Sequence, residues 1–142
     1  MLVTVNFAAV LFMAGVGWLV QVVAYPLYAF VGRDDFVTFH TEWSRRITTV
    51  VLIPMSIDLV TSIWLALAPP SEVSQALTLG GALLAGLTWL STALLQVPRH
   101  EKLSGGFDDG THASLVATSW VRTVGWSAHA VACVLMISAT QT

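Results

Sequence analysis

Four long apolar runs alternate with short polar connections along the chain. Two of these runs, residues 1–32 and 76–97, contain no charged side chain, and the other two, residues 47–68 and 113–138, hold only Asp58, Arg122 and His129. Each run exceeds the ~18–20 residues that a helix needs to cross the hydrocarbon core of a bilayer. The pattern predicts an all-α fold, a four-helix transmembrane bundle. Its predicted spans are about 3–30, 44–68, 75–97 and 113–138.

The composition leaves little chain for anything besides this bundle. Of 142 residues, 56% are hydrophobic and 10% are charged, so we predict a single four-span membrane domain over residues 1–142. No basic residue precedes the first run, which is far longer than the ~7–15-residue core of a secretory signal, so we interpret it as a span. A net charge of −2 without a basic patch argues against a nucleic-acid partner.

The basic residues predict the orientation in the membrane. Five of them flank the first and third connections, whereas the second connection, residues 69–74, has none. They are Arg33, Arg45, Arg46, Arg99 and Lys102. Because basic residues concentrate in cytoplasmic connections, we expect the first and third connections in the cytoplasm and both termini outside.

Three of the four histidines fall on this predicted cytoplasmic side, near the ends of three different helices. Imidazoles and carboxylates are the donors that copper, iron and zinc bind in proteins. Asp108 precedes one of these histidines by four residues, so the two can point at one centre. We therefore predict a transition-metal site, with copper or iron favoured over zinc. The alternative is that these histidines cap helix ends at the interface. The predicted ligands are His40, His100, His112 and Asp108.

Arg122 lies ~15 Å further along its helix than His112, close to the middle of the bilayer. An unpaired guanidinium at that depth costs at least ~2.5–3.5 kcal/mol, so it needs a partner. One alternative is pairing with Asp58. The other is a polar pocket, formed with Gln21, for an anionic or phenolic ligand. Gln96 precedes His100 by four residues and shares its face, which places it beside the same pocket.

Two tryptophans and a titratable pair complete the candidates. Trp89 shares a face with His100 and Trp126 shares one with His112, so both can line a cavity for an aromatic ligand, with plain core packing as the alternative. Asp58 and His129 fall at the same depth, because the second and fourth helices run in the same direction. They form either a buried pair that fixes the helix register or a proton relay.

Several segments resemble a family of small four-span bacterial membrane proteins of unknown function. They are residues 18–27, 39–40, 45–46, 96–103, 112–116 and 119–123, and the resemblance covers nearly the whole chain. The turn from Pro98 to Leu103, with the pattern of Trp120 and Arg122, is also distantly similar to anthrone-oxygenase-like membrane proteins. That group oxygenates polycyclic phenolic substrates. The resemblance implies a multi-pass protein of a bacterial inner membrane and a phenolic substrate.

These observations predict a metal-dependent membrane oxidase or oxygenase that acts on a lipophilic phenol-like or quinone-like substrate. Arg122 and Asp108 are the predicted catalytic residues. The predicted substrate-binding residues are Gln21, Gln96, Arg122, Trp89 and Trp126. One alternative is a haem-binding redox protein with two of the histidines as axial ligands. Another is a non-enzymatic carrier or assembly subunit. The expected partners are the bilayer and a lipophilic small molecule, and a homo-oligomer is also open.

Overall fold

The computed structural model describes residues 1–141 and contains four long helices. We number them α1 (Leu2–Phe30), α2 (Phe36–Leu67), α3 (Gln75–Leu103) and α4 (Asp109–Ala139). Each is long and apolar enough to cross a membrane, which confirms the predicted fold class. Three of the helices extend beyond their predicted spans at the end that carries the histidines, because the backbone hydrogen bonds continue past the apolar residues into polar sequence.

The four helices form one bundle in which each helix packs against two others. α1 and α3 each contact both α2 and α4. Buried apolar side chains form three layers along the bundle, and two of the layers bear on function. The layer at the histidine end is rich in aromatic rings, including Tyr25, Tyr28 and Phe36. The middle layer is formed by Met13, Ala14, Met55 and Trp126.

Two glycines allow α3 and α4 to approach closely. A Cβ atom on Gly125 would lie 2.8 Å from Cγ2 of Thr88, and one on Gly81 would lie 3.0 Å from Nε2 of His129. The distance at Gly125 is shorter than real Cβ contacts, so a larger residue there requires Thr88 to move, and the distance at Gly81 is tight enough that His129 would have to shift by a few tenths of an ångström. Small residues at helix contacts are typical of membrane bundles, where close backbone packing contributes to association.

The second half of the chain repeats the helical layout of the first half at a spacing of 72 residues. In α1 and α3 the regular α-helix ends at Leu19 and Ser91, and a π-helical turn follows. The π-helical turns, Val20–Ala24 and Thr92–Gln96, are followed by Pro26 and Pro98. α2 and α4 end at Leu67 and Ala139. The bundle therefore consists of two helical hairpins with the same layout.

The two π-helical turns lie at the same height, next to the aromatic layer. Proline has no N–H to donate to the carbonyl four residues before it, and a π-helical turn rearranges the local hydrogen bonds. Such turns change which side chains face the bundle interior, and they occur frequently at functional sites. This part of the bundle contains the candidate site.

Candidate functional site

A chain of hydrogen bonds connects a guanidinium inside the bundle with the end of α3. Nη2 of Arg122 lies 3.1 Å from the hydroxyl of Tyr25, which lies 2.9 Å from Nε2 of His100. Nδ1 of His100 lies 3.0 Å from Nε2 of His40. Nδ1 of His40 lies 3.4 Å from Oγ of Ser104, an exposed residue directly after α3. We call these five residues the relay chain.

The outer end of the relay chain sets a consistent direction for its hydrogen bonds. Ser104 donates to the backbone carbonyl of His100 at 2.9 Å, so its oxygen accepts from Nδ1 of His40. For neutral rings, Nε2 of His40 then accepts from Nδ1 of His100, and Nε2 of His100 accepts from the Tyr25 hydroxyl. The Tyr25 oxygen accepts from Arg122, which can only donate. The relay chain thus runs from donor to acceptor without a break.

The two histidines of the relay chain meet end to end. Their ring centroids are 5.2 Å apart and their nearest nitrogens are 3.0 Å apart, with an angle of 29° between the ring planes. These distances place both nitrogens close to the line that joins the two rings. Each nitrogen consequently points at the other, which is the arrangement of a direct hydrogen bond.

His112, the third predicted metal ligand, binds a different group. Its Nε2 lies 2.7 Å from the backbone carbonyl oxygen of Tyr25, and its ring lies between Tyr28 and Phe107, at centroid distances of 6.1 and 5.1 Å. The 72-residue repeat explains this placement. His112 is the counterpart of His40, and Tyr28 is the counterpart of His100, so a histidine–tyrosine contact occupies the place of the second histidine pair.

Asp108, the fourth predicted ligand, caps the start of α4. Its carboxylate accepts a hydrogen bond from the backbone N–H of Thr111 at 2.7 Å and one from Nζ of Lys102 at 3.3 Å. Hydrogen bonds from the Thr111 side chain and backbone, together with Lys102, lower the pKa of Asp108 to about 2. The sequence predicted Asp108 as a metal ligand, but these contacts are those of a helix cap.

Replacing Asp108 with alanine should lower the melting temperature at neutral pH, because the first turn of α4 loses its cap. The pKa of this carboxyl lies below its ordinary value of 3.8 in the folded protein. Its contribution to stability is therefore complete above pH ~4 and disappears as the pH falls through about 2. Melting curves at a series of pH values should show the difference between wild type and variant shrinking in acid. A difference that persists at the lowest pH would contradict this role.

The structure brings together two of the four predicted metal ligands, His40 and His100. Within residues 1–141, no group of three or more His, Cys, Asp or Glu side chains is arranged to hold a metal ion. The metal site therefore stays a prediction.

A cavity of about 320 Å³ lies beside the relay chain and is lined by residues of all four helices. Its polar lining is at the histidine end and includes Tyr25, Gln96, His100, Ser104 and Arg122. Deeper in the bundle the lining is apolar, with Met13, Val51, Met55 and Trp126. A concave apolar site with a few polar groups at one end is typical of small-molecule binding sites.

Three of the residues that line this cavity have buried polar atoms without a hydrogen-bond partner among the described residues. These atoms are Oε1 of Gln96, Nε of Arg122 and Oγ of Ser44. Buried polar atoms are normally hydrogen-bonded, so unpartnered atoms beside a cavity are available to bind a ligand or water. The Gln96 amide does donate to Thr118, at 3.4 Å.

Arg122 has no carboxylate within 4.0 Å in the described part of the chain, so the predicted alternative of an Arg122–Asp58 pair is not formed. Its guanidinium donates instead to Tyr25 and, at 3.1 Å, to Oγ of Ser119. Both partners are neutral. The positive charge of Arg122 is therefore uncompensated by a carboxylate next to the cavity.

The remaining predicted substrate-binding residues divide into two groups. Trp126 lines the cavity, as Gln96 and Arg122 do. Gln21 and Trp89 are not among its lining residues, and each donates to a backbone carbonyl at 3.0 Å, of Val116 and Met55 respectively. These two side chains therefore connect helices.

Tyr25 is the site residue that sequence reasoning missed. It is buried, lines the cavity and joins the guanidinium of Arg122 to the histidine pair. The available signal was a tyrosine directly before a proline at the predicted cytoplasmic end of the first run, where the backbone departs from a regular α-helix.

A second polar cluster lies deeper in the bundle and is fully buried. Oδ1 of Asp58 lies 3.3 Å from Nδ1 of His129, as expected from their predicted depth, although the two atoms are not aligned as a hydrogen bond. The same carboxylate accepts hydrogen bonds from Nε1 of Trp126 at 3.1 Å and Oγ of Ser62 at 3.2 Å. Asn6 ties the cluster to α1 by donating to the Ser62 hydroxyl at 2.9 Å.

Comparisons with protein families, with characterised proteins and with solved structures find no match to this chain. The resemblance suggested by the sequence therefore stays a prediction.

Proposed function

We propose that this protein is a membrane oxidoreductase that binds a lipophilic phenol-like or quinone-like molecule in the cavity and accepts its protons through the relay chain. The observation that carries the proposal is the position of Arg122. Its guanidinium has no carboxylate partner within the described residues, lines the cavity and forms the inner end of a continuous series of hydrogen bonds.

The polar atoms beside the cavity define the chemistry of the ligand. Arg122 has only donors, so it requires an acceptor such as a quinone carbonyl or a phenolate oxygen. The free Oε1 atom of Gln96 requires a donor, such as a phenol hydroxyl. The apolar walls formed by Met13, Met55 and Trp126 suit the faces of an aromatic ring. A ring that bears both a carbonyl or phenolate oxygen and a hydroxyl satisfies all of these groups.

The relay chain supports proton transfer away from such a ligand. Oxidation of a hydroquinone to a quinone releases two electrons and two protons. Tyr25 can accept a proton from the ligand hydroxyl while passing its own to Nε2 of His100, and His40 and Ser104 continue the path to the end of α3. Arg122 keeps its proton and stabilises negative charge on the ligand oxygen. With dioxygen as the oxidant, hydroquinone and dioxygen give quinone and hydrogen peroxide.

A second candidate is the metal-dependent oxidase or oxygenase predicted from the sequence. It is favoured by the 3.0 Å separation of the His40 and His100 nitrogens, since two nitrogen ligands at ~2.0–2.1 Å from one ion lie about 3 Å apart. His40 and His100 would hold the ion after both rings turn, and a bound metal would supply dioxygen activation. Axial ligation of a haem would need nitrogens roughly 4 Å apart, so α2 and α3 would have to separate.

Tyr25→Phe tests the proposal, because it removes the hydroxyl that links ligand and histidines. We expect wild-type protein to bind a tailless hydroquinone at one saturable site, measured by quenching of tryptophan fluorescence. The variant should bind it with similar affinity but oxidise it about 100-fold more slowly, as expected for loss of a proton-transfer group.

Tyr28→Phe is the matched control. The Tyr28 hydroxyl is buried and has no hydrogen-bond partner among residues 1–141, so its removal should leave the rate unchanged. Absence of saturable binding to wild type, or equal rates in the two variants, would refute the proposal.

The same preparations can be analysed for copper, iron and zinc. Stoichiometric metal that is lost in His100→Ala but kept in His112→Ala would support the second candidate.

A further inference from the structure

We propose that the ligand has a long apolar tail, and that this tail leaves the cavity sideways into the bilayer between α2 and α3. The inference rests on the proposed function, because it names the subclass of phenol or quinone that the same cavity takes. Three observations support it: the size of the cavity, the direction in which its lining changes from polar to apolar, and the position of its opening.

The cavity accommodates a head group but no tail. Its volume of about 320 Å³ is at the lower end of the ~300–1,000 Å³ found for small-molecule sites. A substituted aromatic ring fits this volume, whereas a ring with a long alkyl or isoprenoid chain exceeds it. A tailed ligand therefore has to extend through an opening in the wall.

The wall is open between α2 and α3. Thr48 on α2 and Val97 on α3 both line the cavity, and both are exposed, Val97 to 45%. Both residues belong to helices that are long and apolar enough to cross a membrane, and Val97 ends an uncharged run of 22 residues, 76–97. In a bilayer this opening would therefore face acyl chains near the interface, where apolar tails are at low free energy.

The corresponding position on the other side of the bundle is closed. Trp120 lies 72 residues after Thr48, so the repeated layout gives it the equivalent place on α4, facing α1. Its indole packs edge-on against that of Trp18, at a centroid distance of 5.6 Å. Trp18 donates to Oγ of Ser127 at 3.1 Å, which fixes its orientation. Of the two equivalent gaps between hairpins, one is covered by two indoles and the other is left open at a threonine.

The change in lining along the cavity matches the way a tailed molecule lies in one leaflet. Polar residues such as Glu101 and Ser104 line it at the helix ends, where the interface is, and Val51 and Met55 line it deeper in the bundle. A molecule with a polar ring and an apolar tail has the same polarity along the membrane normal. It can move from the leaflet into the cavity without turning over and without moving its tail into water.

Thr48→Trp tests the inference, because it places a tryptophan in the open gap between α2 and α3. Trp120 occupies the equivalent gap between α4 and α1. The probes are a decyl-tailed benzoquinone and its tailless analogue, bound to protein in lipid nanodiscs. We expect the variant to bind the decyl-tailed probe at least about tenfold more weakly than wild type does, and the tailless probe with similar affinity, because the indole clashes with the tail alone.

Thr49→Trp is the matched control, since Thr49 is the adjacent exposed threonine and does not line the cavity. This variant should bind both probes as wild type does. Unchanged binding of the decyl-tailed probe to Thr48→Trp, or equal weakening for both probes, would overturn the inference. Wild type that binds only the tailless probe would also overturn it while leaving the proposed function intact. Wild type that binds neither probe would refute the proposed function itself.

Discussion

Asp58→Ala is expected to lower the free energy of unfolding by about 3–5 kcal/mol, because it leaves several buried groups without their acceptor. The carboxylate of Asp58 accepts from Trp126 and Ser62 and lies 3.3 Å from His129, and all of these side chains are buried within the bundle. Because these side chains are buried, bulk water does not replace the lost acceptor. Unfolding in mixed detergent micelles, followed by tryptophan fluorescence, measures the difference.

Ser56→Ala is the control on the same helix. The Ser56 hydroxyl donates to the backbone carbonyl of Leu52 and is partly exposed, so its loss should change stability by less than about 0.5 kcal/mol. An Asp58→Ala variant that is as stable as Ser56→Ala would contradict the importance of the buried cluster.

A double variant distinguishes a structural pair from a proton relay. Of the described hydrogen bonds, only that of Trp126 connects Asp58 to a residue of the cavity wall, and an indole N–H does not pass protons on. We therefore expect the pair to fix the register of α2 and α4. Asp58→Leu with His129→Leu should recover part of the lost stability and leave hydroquinone oxidation unchanged. Restored stability with abolished oxidation would show that the pair is a relay.

Arg122→Gln is expected to weaken quinone or phenol binding by about 100-fold, which corresponds to losing one or two hydrogen bonds from a charged donor. The same substitution should not destabilise the protein. It removes a charge whose presence in a membrane helix costs ~2.5–3.5 kcal/mol, and glutamine can still donate to Tyr25. Opposite effects on affinity and stability are characteristic of a residue retained for a ligand. Titration with a tailless benzoquinone and unfolding of the unliganded protein measure the two quantities.

Arg99→Gln is the control, because it also removes a guanidinium charge but at a position outside the cavity. Arg99 donates to Ser114 at 2.8 Å and to the carbonyl of Leu95, and it does not line the cavity. Its replacement should leave the affinity unchanged. If Arg122→Gln instead destabilised the protein as strongly as Asp58→Ala while leaving the affinity unchanged, Arg122 would be a structural residue.

The sequence predicted the features that depend on hydrophobic length and regular helical geometry. The four spans follow from apolar runs, because a long apolar segment in lipid satisfies its backbone hydrogen bonds by forming a helix. The contact between Asp58 and His129 was predicted because α2 is an uninterrupted helix from Phe36 to Leu67, so depth along it can be counted from His40.

The features that the sequence did not predict depend on departures from that geometry. The π-helical turns before Pro26 and Pro98 change the phase of the residues that follow, so a regular helix could not place Tyr25 and His100 against each other. His112 binds the carbonyl of Tyr25 in place of the histidine pair. His112 has no second histidine to pair with, because the aromatic ring of Tyr28 occupies the position equivalent to His100.

The central claim is that one aromatic ligand binds in the cavity between the four helices, next to Arg122. Photo-labelling with a benzoquinone that carries a diazirine on its ring tests this claim most directly, with the labelled residues mapped by mass spectrometry. We predict one label per chain, on cavity-lining residues such as Ile47, Val51 or Gln96, and loss of that label in Arg122→Gln. Labels spread over outward-facing residues such as Leu83 and Val131, with the same yield in the variant, would contradict it.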